Sequence, residues 1–341
     1  MEPPFEIALS AYDYKLPKSL IARRPPVARD GARLLHLGDG LAHKKVVDLP
    51  DCLRAGDLLV VNDTRVMPAR VHAKRKTGGA VEVLFLEGVD GPCKALVRPS
   101  KRLKVGESLL AGEHSITLLA KGEEGEWTVE CSVAPAALMD AVGEMPLPPY
   151  LERPEEAGDR LRYQTVFANQ LGAVAAPTAS LHLSEPLLDA LAERGVGLAK
   201  LTLHVGIGTF RNLRPSDLAA GELHPEHFSV PQACVEKIRA CRAAGGRVIA
   251  VGTTVTRTLE SATPLGERVP QAGKGVTRLF LREGARFSCV DGLMTNFHLP
   301  RSSLLMLVCA FAGRERILSA YETAISQGYR FYSYGDSMLI L

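Results

Sequence analysis

The 341-residue chain reads as a mixed α/β protein whose larger domain is interrupted by a small all-β domain. Three observations lead there. A chain of this length exceeds one ordinary core, so two domains are expected. Short apolar runs of buried-strand type alternate with well-bounded helices over residues 1–63 and 151–341. Between them, residues 64–150 carry five or six short strand-like segments, with Gly-rich or acidic breaks and no convincing helix.

The elements follow in order. "DLLVVN", ending at Asn62, is a short apolar run typical of a strand covered on both faces. "RVHAKRK" and "AVEVLFL" alternate on either side of "TGG", which predicts a hairpin turning at Gly78-Gly79. "CKALVR", "ESLLAG", "HSITLLA" and "WTVECSV" complete a small closed or sandwiched β-domain. "GEMPLPPYLERP", with four prolines, is expected to be a stiff linker. "SEPLLDALAERG" has a Ser N-cap, a first-turn proline and a terminal glycine. "PQACVEKIRACRAAGG" and "GRERILSAYETAISQG" are further helices, and "RVIAVG" is another buried strand. Because the first sixty or so residues already hold a strand of the α/β type, the β-domain is read as an insertion.

Composition bounds the class. With 46% hydrophobic and 23% charged residues the chain is an ordinary globular protein. No run reaches the ~18–20 uninterrupted apolar residues of a membrane span. The N-terminal stretch lacks a basic region followed by an apolar one, so a cytoplasmic location is expected. Seven cysteines without a C-x-x-C argue against a disulfide framework and a zinc ribbon, and Cys234 and Cys241 are expected as small buried residues of one helix. Charge is concentrated: residues 65–104 hold ten Lys or Arg against three acids, a net +7 in a chain of net +3. That is the footprint of a polyanion-binding face, or of a merely solvated one.

Polar knots recur where apolar strands end. They are "NDTRVMPAR" from Asn62, "RYQTVFA" from Arg162, "AAPTASLHL", "LTLHVGIGTF", "ELHPEHF", "VGTTVTRT", "TNFHLPRSS" and "YRFYSYGDSM". Singly, each has a bland reading: a core histidine satisfied by a carbonyl, a helix cap, a turn. "VGIG" is half of a dinucleotide fingerprint, with Arg211 at the third glycine position. Together they match the rule that α/β folds gather ligands in loops after the strands. The histidines 182, 204, 224 and 298 show no H-x-x-x-H or H-x-H pair, so a metal centre is not expected. A nucleophile elbow, a Walker loop and paired glycosidase carboxylates are absent as well.

In this order the knots resemble the S-adenosylmethionine:tRNA ribosyltransferase-isomerase family of queuosine biosynthesis. The likeness runs nearly end to end: "YDYKLP", "NDTRVMPAR", "TGGAVEVL", "PLPPYLER", "RYQTVFA", "GAVAAPTASLH", "LTLHVGIGTF", "VIAVGTT", "TNFHLPRSSLLMLV", "AFAGRE" and "YRFYSYGDSMLI". It implies a discontinuous α/β barrel-like large domain, residues 1–63 and 151–341, with an inserted small antiparallel β-barrel domain, residues 64–150. It implies transfer and isomerisation of the ribosyl part of S-adenosylmethionine onto 7-aminomethyl-7-deazaguanine at the wobble position of tRNA, giving epoxyqueuosine and releasing adenine and methionine. S-adenosylmethionine is then a consumed cosubstrate, no metal is needed, and a monomer is expected.

That chemistry needs a base for the acidified C5′ proton and a proton for adenine, and histidine suits both tasks. His204 and His298 are the expected acid–base groups. Asp63, Glu226 and Asp336 are expected to orient an imidazole, hold ribose hydroxyls or favour the sulfonium. Arg65, Arg70, Arg257 and Arg330 suit the methionine carboxylate or RNA phosphates. Tyr163, Phe210 and Phe297 are candidates for stacking. The remaining expected substrate residues are Gln164, Thr165, Thr178, His182, Thr209, His224, Thr253, Thr254, Asn296, Ser302 and Ser333. Lys74, Arg75, Lys76, Lys101, Arg102 and Lys104 form the expected tRNA surface. The chain departs from the family pattern at 179–183, 211–213, 220–226 and 253–257, which leaves a second reading: a diverged paralogue that binds RNA or uses another acceptor.

Overall fold

A computed structural model describes residues 9–86, 90–206 and 213–341, and the expected site residues Thr209 and Phe210 lie outside the described residues. The first strands are β1 (Arg33–Leu37), β2 (Leu41–Lys45), β3 (Leu58–Asn62) and β4 (Thr64–Val66). Then come β5 (Arg70–Arg75), β6 (Ala80–Phe85), β7 (Cys93–Arg98), β8 (Ser108–Ala111), β9 (His114–Lys121), β10 (Glu126–Cys131) and β11 (Gly143–Glu144). The last are β12 (Gln170–Ala173), β13 (Gly197–Leu203), β14 (Glu222–Val230), β15 (Val248–Val251), β16 (Gly273–Leu279), β17 (Gly292–Asn296) and β18 (Ser337–Ile340).

Every residue of β3 and β15 is buried, and alternation explains how. Leu58, Val60, Val248 and Ala250 point into one core, under the helices Gln232–Ala243, Thr253–Ala262, Ser303–Ala312 and Arg314–Ser326. Leu59, Val61, Ile249 and Val251 point into the opposite core, with Leu187 and Leu191 of the helix Glu185–Glu193. A strand covered on both faces has no polar side, so its sequence is a continuous apolar run. These strands lie inside a large sheet ordered β16-β14-β13-β3-β15-β17-β18-β1-β2 among the described residues. β13, β3, β15 and β17 run parallel, whereas β18 is antiparallel to β17 and parallel to β1.

The inserted strands close on themselves. β5, β6, β7, β10, β9 and β8 pair in sequence around a ring, and β8 returns to β5 through Lys74↔Leu110 and Arg75↔Leu109. Closure removes both sheet edges. The expected hairpin is present, with Lys74 opposite Ala80 and Gly78 at φ 86. The barrel has its own core, including Val71, Val83, Phe85, Ile116 and Trp127.

Two expectations change here. Residues Pro135–Val142 form a helix, where the texture suggested none, and its Leu138 and Met139 close one end of the barrel core. The proline-rich segment is not a free spacer: residues 145–148 are buried, and Met145 and Leu147 pack with Tyr163 and Tyr334. Prolines suit a buried extended segment because each removes one N–H that would otherwise need a partner.

One carboxylate ties the last turn to the sheet. Asp336, 2% exposed, accepts the Arg33 N–H at 2.8 Å and the Arg330 N–H at 2.7 Å. It thus joins the start of β1 to the turn before β18, and both of its oxygens are used by backbone rather than by a ligand. Asp336→Ala strands two buried donors and is expected to destabilise the fold by roughly 2–5 kcal/mol, as a lowered urea midpoint. Asp336→Asn, which keeps one acceptor, should lose about half as much.

Candidate active site

The parallel strands β3, β13, β15 and β17 end on one edge of the sheet, and the turn into antiparallel β18 comes back to the same edge. The loops there enclose a cavity of about 280 Å³. Its walls are Tyr163, residues 175–179, Val205, Gly252 to Thr254, Thr295 to Leu304, Tyr332 and Ser333, together with Pro149 and Tyr150, which follow the buried proline segment. Of the expected residues, Tyr163, Thr178, Thr253, Thr254, Asn296, Phe297, His298, Ser302 and Ser333 meet here. Aromatic rings dominate one side, with Tyr150 and Tyr332 at 4.7 Å between centroids. Among the described residues no carboxylate lines the cavity. Arg301, which does line it, carries its guanidinium against Asp13 at 2.7 Å.

Two histidines are held neutral by their surroundings. The Asn296 amide donates through Nδ2 to the Tyr332 carbonyl at 3.0 Å. Only the NH₂ end of an amide can face a carbonyl, so the same nitrogen is the donor at 3.2 Å to His182 Nε2, which must be unprotonated. Burial, first, and then the nearby Arg330 charge lower His182 to about 4. His298 meets the Thr295 hydroxyl at 2.8 Å through Nε2. Its backbone N–H donates to Tyr321 Oη at 3.0 Å, and its carbonyl accepts from Tyr14. Burial alone pushes His298 down to about 3.

Linkage follows from the direction of these shifts. The unfolded chain protonates such a histidine near pH 6.5 and the folded chain resists until about pH 4, so stability is full above pH 6.5 and falls as the pH drops toward 4. For His182 the loss is on the order of 3 kcal/mol. His182→Gln keeps an acceptor for Asn296 but cannot titrate, and urea midpoints between pH 7 and 4 should show a shallower decline in the variant. An unchanged decline would place the protons elsewhere.

Other expected residues lie outside the cavity walls. His204 is next to Val205, but successive residues of an extended chain point to opposite sides. Its Nδ1 meets Thr64 Oγ1 at 2.9 Å, and burial first, then His227, lowers its pKa against the pull of Asp63. Asp63 accepts from Thr202 Oγ1 at 2.6 Å. Glu226 and Arg257 form a buried ion pair, with Glu226 also accepting from the Gly206 N–H and Arg257 donating to the Leu279 carbonyl. His224 is half-buried on β14, Arg65 is exposed on β4, and Thr165 is buried. Gln164 bonds both backbone groups of Val66, as a neighbouring strand would. Arg70 holds the Leu147 carbonyl and Glu82, and Arg330 is half-buried beside the Asp336 turn.

Sequence reasoning misses Tyr150 and Tyr332 as site residues, whereas Thr295 and Ser303, both in the knot "TNFHLPRSS", do line the cavity. The signal for Tyr150 lies in "PLPPYLER", whose proline density points to a stiff linker rather than to a site. On the barrel, Lys74, Lys76, Lys101, Arg102 and Lys104 are exposed. Arg75 is instead clamped by Glu107 at 2.6 and 3.1 Å, and reaches the Arg102 carbonyl at 3.3 Å, which binds the hairpin to the 101–104 loop. Among the described residues no helix is long and apolar enough to cross a membrane, and no group of three or more His, Cys, Asp or Glu is arranged to hold a metal.

Known proteins share this chain over nearly its whole length. A relative from Synechococcus elongatus named S-adenosylmethionine:tRNA ribosyltransferase-isomerase is 50% identical, with 99% of this chain and 97% of the relative covered. One of the same name from Rhodospirillum rubrum is 51% identical over 96% of each. The crystal structure of S-adenosylmethionine tRNA ribosyltransferase from Thermotoga maritima aligns at 35% identity and a TM-score of 0.56, over 97% of this chain and 100% of that one. The family model described as queuosine biosynthesis protein matches residues 9–340; the chain belongs to that family.

Proposed function

We propose that this chain is an S-adenosylmethionine:tRNA ribosyltransferase-isomerase that acts on tRNA carrying 7-aminomethyl-7-deazaguanine at the wobble position. The observation that carries the reading is identity at about half of all positions, over the full length, with relatives of that name. The cavity supports it. Tyrosine faces suit an adenine ring and, without any carboxylate, still attract a sulfonium. Hydroxyl groups of Thr178 and Ser333 supply partners for a ribose.

The ligand's own sulfonium acidifies its C5′ protons. In this reading the neutral His298 accepts one of them and passes it to the departing adenine. A resting pKa of about 3 makes the imidazole a reluctant base but its conjugate acid a ready donor. The step therefore needs no prior deprotonation of His298 at neutral pH. His204, paired with Thr64 beside Asp63, is assigned to the tRNA-base side of the reaction. S-adenosylmethionine is spent, and the protein works as a cytoplasmic monomer.

Incubation of the protein with S-adenosylmethionine and the deazaguanine-modified tRNA is expected to release adenine and methionine in step with epoxyqueuosine. An absence of adenine release would remove the reading. The exposed lysines and arginine of the barrel are the proposed phosphate contacts. Lys101→Glu with Arg102→Glu should weaken tRNA binding and lower the salt slope by about two contacts, measured by titration at several salt concentrations. A parent-like slope would put the tRNA on another face.

A further inference from the structure

We propose that the cavity has a dedicated amino-acid end, in which the N-termini of two helices take the α-carboxylate of S-adenosylmethionine and Asn296 takes its α-ammonium. The inference rests on the functional reading above and assigns one end of the ligand. Thr253–Ala262 and Ser303–Ala312 are both ten-residue helices, they pack against each other, and the first residues of both line the cavity. The first N–H groups of a helix have no intrahelical acceptor and carry partial positive charge, a ready site for an anion. Gly252, the residue before the first helix, has φ 100, a conformation that favours glycine and leaves the backbone open to a ligand.

Side chains independently mark the same place. Thr253 lines the cavity, is only 6% exposed, and its hydroxyl has no partner among the described residues. The Thr254 hydroxyl is likewise buried and unpartnered. Both are donors on the first turn, suited to a carboxylate. Asn296, 2% exposed, spends its NH₂ on Tyr332 and His182 and leaves Oδ1 without a partner among the described residues. An orphaned buried carbonyl is costly unless a donor arrives, and an ammonium supplies one. Gly252 N–H donates to the Met294 carbonyl at 2.7 Å, which sets the first helix start beside the strand that ends in Asn296. The four arginines expected for this carboxylate do not line the cavity.

Calorimetric titration with S-adenosylmethionine and with its decarboxylated analogue tests the assignment on the unaltered protein. The analogue keeps the ammonium and is expected to bind ~10- to 100-fold more weakly, the range for charge-assisted hydrogen bonds. The double variant Thr253→Val, Thr254→Val should narrow that preference several-fold by weakening S-adenosylmethionine alone. Equal affinity of the two ligands for the unaltered protein, or an unchanged preference in the variant, overturns the subsite and leaves the functional reading intact. Failure of both ligands to bind overturns the reading and the subsite together.

Discussion

The cavity depends on one hydrogen bond, the donation from Asn296 Nδ2 to the Tyr332 carbonyl. It joins the end of β17 to the turn that leads into β18, and its geometry admits only one orientation of the amide. From that orientation the rest follows. His182 must present an unprotonated nitrogen, so the 178–182 turn is drawn to the same amide, and three walls of the cavity become one unit. The orphaned Oδ1 is the remainder of this arrangement: an amide whose donors are both spent has only its acceptor left for a ligand.

Electrostatics at the site is set by burial more than by charge pairs. Among the described residues the lining has no carboxylate, and its guanidinium, that of Arg301, is paired with Asp13. A cationic ligand is therefore met by ring faces, and an anionic group by helix starts, in a space where both act with little screening. The charged pairs lie outside it. Glu226 and Arg257 come from two segments that depart from the family pattern, yet they meet in a buried ion pair. Such a pair is strongly destabilising to break one side at a time, and its two members are positions of those segments that keep the family residue.

The barrel contributes in two ways. Its closed ring carries the exposed basic residues, with Arg75 acting as an internal tie rather than as a free cation. The segment that leaves the barrel becomes part of the cavity wall, since Tyr150 lines it and its hydroxyl bonds to Ser333. The insertion is thus continuous with the site through a buried, proline-stiffened stretch.

Much was legible in the residues alone. The two-sided burial of β3 and β15, the Ser184 cap, the glycine turn at 78–79 and the six barrel strands all follow from short-range pattern and chemistry. The polar knots at strand ends were legible as a group, because buried polar groups between apolar runs must find partners. Which knots share one space was not. Asp336 and Gln164 look like site residues in sequence, but backbone groups consume their oxygens, those of Arg33 and Val66 coming from distant segments. His204 and Val205 differ by one position and face different surroundings. Sequence determines what each side chain can donate or accept; the packing of β17 against an antiparallel β18 decides which partners are within reach, because hydrogen bonds act over about 3 Å and those partners are separated by tens to hundreds of residues.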